Sequence, residues 1–272
     1  MSYRLEHLTV RHLAARDDAA PALTGLDLDV APGEQLALIG PSGAGKTTLL
    51  ATLACAHRPD SGSFAVFGED PWALSQAARH RLRSRLFLAP QTPPLPPRQR
   101  VVTSVLAARL PHMNLWQAFA CLVKPSDPDA AHAALARFGL GDKLYARVDR
   151  LSGGERQRCG LARLLLSSAE VFLVDEPISA LDPTLAQHTL ATLQQEAASR
   201  NAMLVCSLHQ VEMARAHFPR LVGLRAGRIV FDLPREAVTD AMIAALYDNE
   251  HVAPHPDHLH ESPDRIAVGA CF

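Results

Sequence analysis

The run Gln35-Leu36-Ala37-Leu38-Ile39-Gly40-Pro41-Ser42-Gly43-Ala44-Gly45-Lys46-Thr47-Thr48 decides the fold. Its first five residues form an apolar stretch typical of a strand buried on both faces. Residues 40–47 then match G-x-x-x-x-G-K-[ST], and an apolar stretch compatible with a helix continues from Lys46 to Ala56. Strand, glycine-rich loop and helix in that order are the context in which the motif is credible. Glycines let successive backbone N–H groups converge on phosphate oxygens, and the helix N-terminus adds a favourable dipole. Lys46 then reaches the outer phosphates of a nucleotide, and the Thr47 hydroxyl becomes a Mg2+ ligand.

Working outward, Leu26, Leu28 and Val30 alternate with Asp27 and Asp29, the period of a half-buried strand. Ala31-Pro32-Gly33-Glu34 turns the chain into the buried run, and Pro59-Asp60-Ser61-Gly62 is a turn before alternating Phe64 and Val66. Pro90, Pro93, Pro94, Pro96 and Pro97 forbid a regular helix or central strand there. The pattern then turns helical over Val101–Leu110 and Leu115–Val123, and a third helix starts with Asp127 as N-cap and Pro128 at the first helical position. Residues of about 91–150 read as a small helical insertion.

From Leu151 strands and helices alternate again. Val171–Val174 and Met203–Cys206 read as buried strands, and Asp182-Pro183 caps a helix to about Ser199. This alternation predicts a parallel sheet covered on both faces. Leu221–Leu224 and Arg228–Phe231, joined through Ala226-Gly227, read as a hairpin, and Thr239 caps a last helix to about Tyr247. Beyond Asn249, four histidines (His251, His255, His258, His260) mix with Pro254, Pro256 and Pro263. Clustered histidines can bind zinc or nickel, but the prolines and weak hydrophobicity of 251–272 favour a disordered tail.

Two more stretches bear chemistry. Asp175 and Glu176 close the strand Val171–Val174, at the carboxyl end where open α/β sheets place ligand chemistry; Asp175 suits Mg2+ contact and Glu176 can deprotonate an attacking water. Leu151-Ser152-Gly153-Gly154-Glu155 opens a helix with a second set of anion-binding N–H groups. With one phosphate loop and one such run about a hundred residues apart, residues 3–247 resemble the ATP-binding subunits of ABC transporters.

The resemblance implies an α/β fold, a P-loop NTPase core of the ABC type with an antiparallel β subdomain and an inserted α-helical subdomain, within a single ATPase domain over 1–250. It implies that Gly40–Thr48 binds ATP with Mg2+, and that Val171–Asp175 forms the second half of the site with Glu176 as catalytic base. Gln91 falls where the family's glutamine senses Mg2+ and the membrane subunit. Ser152, Gly153 and Gly154 resemble the signature that meets the γ-phosphate of a partner's ATP, Ser179–Asp182 the loop beside it, and His209 the switch histidine. His12 sits near where the family stacks an aromatic ring on adenine. The implied partners are a second copy in a head-to-tail dimer, integral membrane permease subunits and, indirectly, a periplasmic or extracellular substrate-binding protein.

Within that family, Ser207–Glu212, Val222–Asp232, Arg109-Leu110 with Trp116, and Arg147–Arg150 resemble the ATP-binding subunits of phosphonate importers. A soluble carbon–phosphorus lyase complex and a metal-ion importer, the latter suggested by the histidine tail, are the competing settings. Composition narrows the field too. The chain has 272 residues, 27 Lys+Arg against 28 Asp+Glu, and a formal charge of −1. That balance offers no basic surplus for nucleic acid. No apolar run approaches the roughly 20 residues that cross a bilayer, and the start lacks a signal-peptide core. The five cysteines are scattered without a Cys-x-x-Cys pair. Together with the resemblance, these features predict a peripheral subunit on the cytoplasmic face of the inner membrane.

Overall fold

Strand alternation and helix caps resolve in the computed structural model, which describes residues 3–11, 20–123 and 125–248. In chain order the first half holds β1 (Tyr3–Val10), β2 (Leu23–Val30), β3 (Gln35–Ile39), α1 (Lys46–Leu53), β4 (Ser61–Val66), α2 (Gln76–Arg83) and β5 (Leu86–Ala89). Three helices follow, α3 (Val101–Leu106), α4 (Leu115–Val123) and α5 (Pro128–Ala136), and then the long α6 (Gly153–Leu166). The remainder is β6 (Val171–Asp175), α7 (Pro183–Arg200), β7 (Met203–Ser207), α8 (Val211–His217), β8 (Arg220–Arg225), β9 (Arg228–Pro234) and α9 (Asp240–Tyr247).

Two sheets organise these elements. One has the order β5-β6-β7-β3-β8-β9, parallel throughout except for the antiparallel edge pair β8–β9. The other is antiparallel, β2-β1-β4. Because successive side chains of a strand point to opposite faces, each apolar central strand feeds two cores at once. Ala37, Ile39, Phe172, Val174, Leu204 and Cys206 join the core that includes Leu161, Leu190 and Leu193 of the covering helices. Their neighbours Leu36, Leu38, Val171, Leu173, Met203 and Val205 join a second core with Leu49 of α1 and the antiparallel sheet's Leu5, Leu26 and Phe64. The sandwiching of α1 between the two sheets is what fixes the loop before it.

Local signals account for the element ends. Asp127, Asp182 and Thr239 accept N–H bonds from residues three ahead of them, at Ala130, Leu185 and Met242; each cap satisfies a helix donor that would otherwise be orphaned. The hairpin turns through Ala226 and Gly227, both at positive φ (47° and 73°), as a tight two-residue connection requires. Two helices are shorter than their sequence patterns predict. The stretch from Lys46 leaves α-geometry after Leu53, where Cys55 turns left-handed. Val101–Leu110 is α-helical only to Leu106 and tightens into a 3-10 turn over Ala107–His112, which contains Pro111. Pro111 cannot donate the next helical bond. His12 and the tail from residue 249 lie outside the described residues.

Arg220 ties the two sheets together. Its guanidinium donates to Asp232 on β9, to Glu34 before β3 and to the Asp29 carbonyl on β2. The two carboxylates hold its pKa above the ordinary value. Replacing it by Met strands Glu34 and Asp232. The expected cost is roughly 2–3 kcal/mol by urea denaturation, less than for a fully buried pair because 21% of the side chain stays exposed.

Candidate active site

The site forms where the carboxyl ends of three parallel strands lie level. Ser207, the last residue of β7, is in register with both Asp175 on β6 and Leu38 on β3. The chain leaves β3 through Gly40, Gly43 and Gly45, all at positive φ (148°, 75° and 104°). At Gly40 a side chain is impossible for a second reason: a Cβ would lie 2.0 Å from the Leu224 carbonyl oxygen. Lys46, only 5% exposed, folds back over this loop and donates to the carbonyls of Gly40 (2.7 Å) and Pro41 (3.0 Å).

Asp175 anchors the other wall. Its carboxylate accepts from the Thr47 hydroxyl at 2.8 Å and from the Ser207 hydroxyl at 2.5 Å. Next to it, Glu176 adopts φ +49°, a left-handed conformation that costs a non-glycine residue about 1–2 kcal/mol. Five bonds hold it there. Its N–H donates to the hydroxyl and the carbonyl of Ser207 (3.0 and 3.2 Å), and its carbonyl accepts from Gln157 Nε2 (2.6 Å) and from the hydroxyl and N–H of Ser179 (3.3 and 3.5 Å). The carboxylate accepts from Gln91 Nε2 at 2.7 Å and pairs with His209 Nε2. Behind the site, burial pushes the Cys206 thiol well above its usual range, with the Asp175 charge adding to the effect. Cys206 therefore stays a neutral core residue.

A pocket of about 280 Å³ results, lined by Ala22, Ser42–Thr48, Glu176 and His209. Of the residues singled out from sequence, Gly40–Thr48, Asp175, Glu176, Gln91 and His209 thus come together by lining or by hydrogen bond. Ser152, Gly153, Gly154 and Asp182 do not line this pocket. Ser152 starts α6 in a reciprocal cap: Glu155 N–H donates to its hydroxyl (3.2 Å), and its own N–H donates to the Glu155 carboxylate (2.8 Å). Asp182 caps α7. Sequence reasoning missed Ser207 and Gln157 as members of the site, and Tyr247, whose hydroxyl accepts the Gly40 N–H at 3.1 Å.

The family model described as "ABC transporter" matches residues 23–179. The chain belongs to this family. It is 57% identical over 261 residues to the Phosphonates import ATP-binding protein PhnC of Polaromonas sp., covering 96% of this chain and 91% of that protein. It is 55% identical to Phosphonates import ATP-binding protein PhnC 2 of Pseudomonas aeruginosa over 271 residues, the full length of both. Among solved structures, the fold resembles the ATP-binding cassette MJ0796 in a dimeric post-hydrolysis state bound to ADP and Pi. There the TM-score is 0.72 at 21% identity, with 87% of this chain and 100% of that one covered. It also resembles cbiO1 from Clostridium perfringens (TM-score 0.71, 19% identity, 92% and 95% covered). Both likenesses concern the fold.

The α6 cap carries a charge-dependent prediction. The Ser152 N–H, with the Ser152 hydroxyl and Lys143, holds the Glu155 carboxyl below its ordinary pKa. Its contribution is therefore present above the unfolded carboxyl's range and is lost as pH falls through the folded pKa. Glu155→Ala should destabilise the protein by about 0.5–1 kcal/mol at pH 7. Urea titrations repeated towards pH 3.5 should show that difference narrowing.

Proposed function

We propose that this chain is the ATP-hydrolysing subunit of an importer for phosphonate or a related phosphorus oxyanion, with Glu176 as general base. The observation that carries the reading is the Glu176 carboxylate, held by Gln91 and His209 in the same pocket as Lys46 and Thr47. The high identity to the two import ATP-binding proteins supports the transport setting and the cargo class. It favours import over a soluble lyase complex or metal uptake.

The chemistry follows from the residues. Backbone N–H groups of the loop from Gly40 to Thr48 (Gly40, Pro41, Ser42, Gly43, Ala44, Gly45, Lys46, Thr47, Thr48) surround the phosphates; Pro41 contributes no N–H and stiffens the turn. The Lys46 ammonium, now on two carbonyls, is within one side chain's reach of the outer phosphate oxygens. Glu176 takes the proton of the attacking water, His209 steadies that carboxylate and the γ-phosphate, and Gln91 orients both. The hydroxyl of Thr47 and the carboxylate of Asp175 are hard oxygen donors suited to Mg2+, with Gln91 beside them. Among the described residues no group of three or more His, Cys, Asp or Glu could hold a metal alone. When bound, Mg2+ neutralises charge on the β- and γ-phosphates.

Ser152, Gly153, Gly154 and Asp182 lie away from this pocket and, on this reading, serve a second copy arranged head to tail, each signature facing the other's ATP. Binding closes such a dimer, and hydrolysis with product release reopens it. The helical segment of about 91–150, inserted in an ATPase domain over 1–250, and the proline-rich stretch after Gln91 form the groove for a permease. No helix among the described residues is long and apolar enough to cross a membrane. On this reading the permease is a separate partner, and this chain sits on its cytoplasmic side.

Glu176→Gln should lower ATP turnover about 10²–10⁴-fold while ATP binding persists; unchanged turnover overturns the catalytic assignment. Deleting the gene should abolish growth on phosphonate as sole phosphorus source and spare growth on phosphate. Normal growth on both overturns the cargo assignment.

A further inference from the structure

The backbone of Glu176 is held from both sides by side chains from elsewhere in the chain. On one side is Ser207, which also binds Asp175. On the other is Gln157, about one turn into α6, whose Nε2 donates to the Glu176 carbonyl at 2.6 Å and to the Ser179 hydroxyl at 3.2 Å. Gln157 is 5% exposed, and its Oε1 is buried without a hydrogen-bond partner. A buried amide that leaves half its polar capacity unmet is a poor device for stability. Its placement is explained by the half that is used.

We propose that Gln157 is a positioning residue for Glu176, fixing the left-handed turn that aims the carboxylate and tying it to the helix that carries Ser152. This rests on Glu176 being the base. The helix is well placed for the task because it packs closely against two site segments. A Cβ on Gly154 would lie 2.9 Å from the Ala180 carbonyl oxygen, and one on Gly160 would lie 2.6 Å from Pro93 Cβ, two residues beyond Gln91. A shift of α6 towards either contact therefore moves the loop after Glu176 or the segment after Gln91. Gln157 connects that shift directly to the catalytic backbone. The Ser152 end and the base move as one body, so hydrolysis senses where α6 sits.

The test uses the full chain assembled with its membrane subunits. Gln157→Met keeps length and burial but removes both donated bonds. Turnover should fall about 10- to 100-fold, the scale of a misplaced catalytic group. The KM for ATP should stay near wild type and the melting temperature should fall only slightly, because the Glu176 carbonyl keeps its Ser179 donors and no bond to Oε1 is lost. Placed on Glu176→Gln, the same change should have no further effect on residual turnover, since the group it positions is already gone. Ser179→Ala, at an exposed position, removes the second side-chain donor to the same carbonyl. It should lower kcat in the same direction without moving KM, and it decides the matter if Gln157→Met fails to accumulate. Unchanged kcat, or a loss confined to KM or melting temperature, overturns the proposal. If Glu176→Gln lowers turnover and Gln157→Met does not, only the positioning role falls. If Glu176→Gln itself is without effect, the base assignment falls instead.

Discussion

The level ending of β6, β7 and β3 is the constraint on which the rest depends. Parallel pairing places Asp175, Ser207 and Leu38 on one line across the sheet. From that line the Ser207 hydroxyl reaches the Asp175 carboxylate, and α1, starting just past β3, brings Thr47 to its other oxygen. A one-residue slip of any of these strands would reverse every side chain between the two cores. Burial on both faces forbids that slip. The hydrophobic cores thus set the register, and the register sets the polar contacts of the site.

The parts legible in the sequence are those whose geometry is local. A glycine-rich turn between a buried strand and a helix needs few residues to specify it. The N-caps at Asp127, Asp182 and Thr239 each act within one turn of their own helix. The apolar runs at β3, β6 and β7 declare a strand buried on both sides, and Ala226-Gly227 declares the hairpin. By contrast α2 escapes notice, since it buries only Leu82 and otherwise shows polar residues capped by Ser75. The 3-10 turn at Ala107–His112 was likewise hidden inside an apolar pattern that suits either geometry.

The site is legible by halves for the same reason. Gln91, Asp175, Glu176 and His209 sit in recognisable stretches. Ser207 and Gln157 act by holding a backbone, and no spacing rule reveals that a serine at a strand end or a glutamine inside a helix meets the carbonyl or N–H of a residue 19 or 31 positions away. The strained φ of Glu176 was the available signal, and it exists only in three dimensions. Strain of that kind persists where surrounding contacts over-determine it. Here the contacts come from β7, α6 and the loop before α7.

The glycine-rich loop before α1 shows how far its order depends on remote chain. Its glycines are needed as much for close approach as for positive φ: a Cβ on Gly45 would lie 2.7 Å from Leu23 Cδ2 and 2.9 Å from the Ala22 carbonyl oxygen. Gly227 in the hairpin donates to the Ala44 carbonyl at 3.0 Å, and the Tyr247 hydroxyl accepts from Gly40. Arg225 in turn donates to the Ala245 carbonyl at 2.6 Å, where a cation also suits the C-terminal end of α9. The loop is therefore wedged among β2, the β8–β9 hairpin and the last described helix. N–H groups fixed in this way need no reorganisation when negative charge arrives, which is the condition under which backbone dipoles stabilise it most.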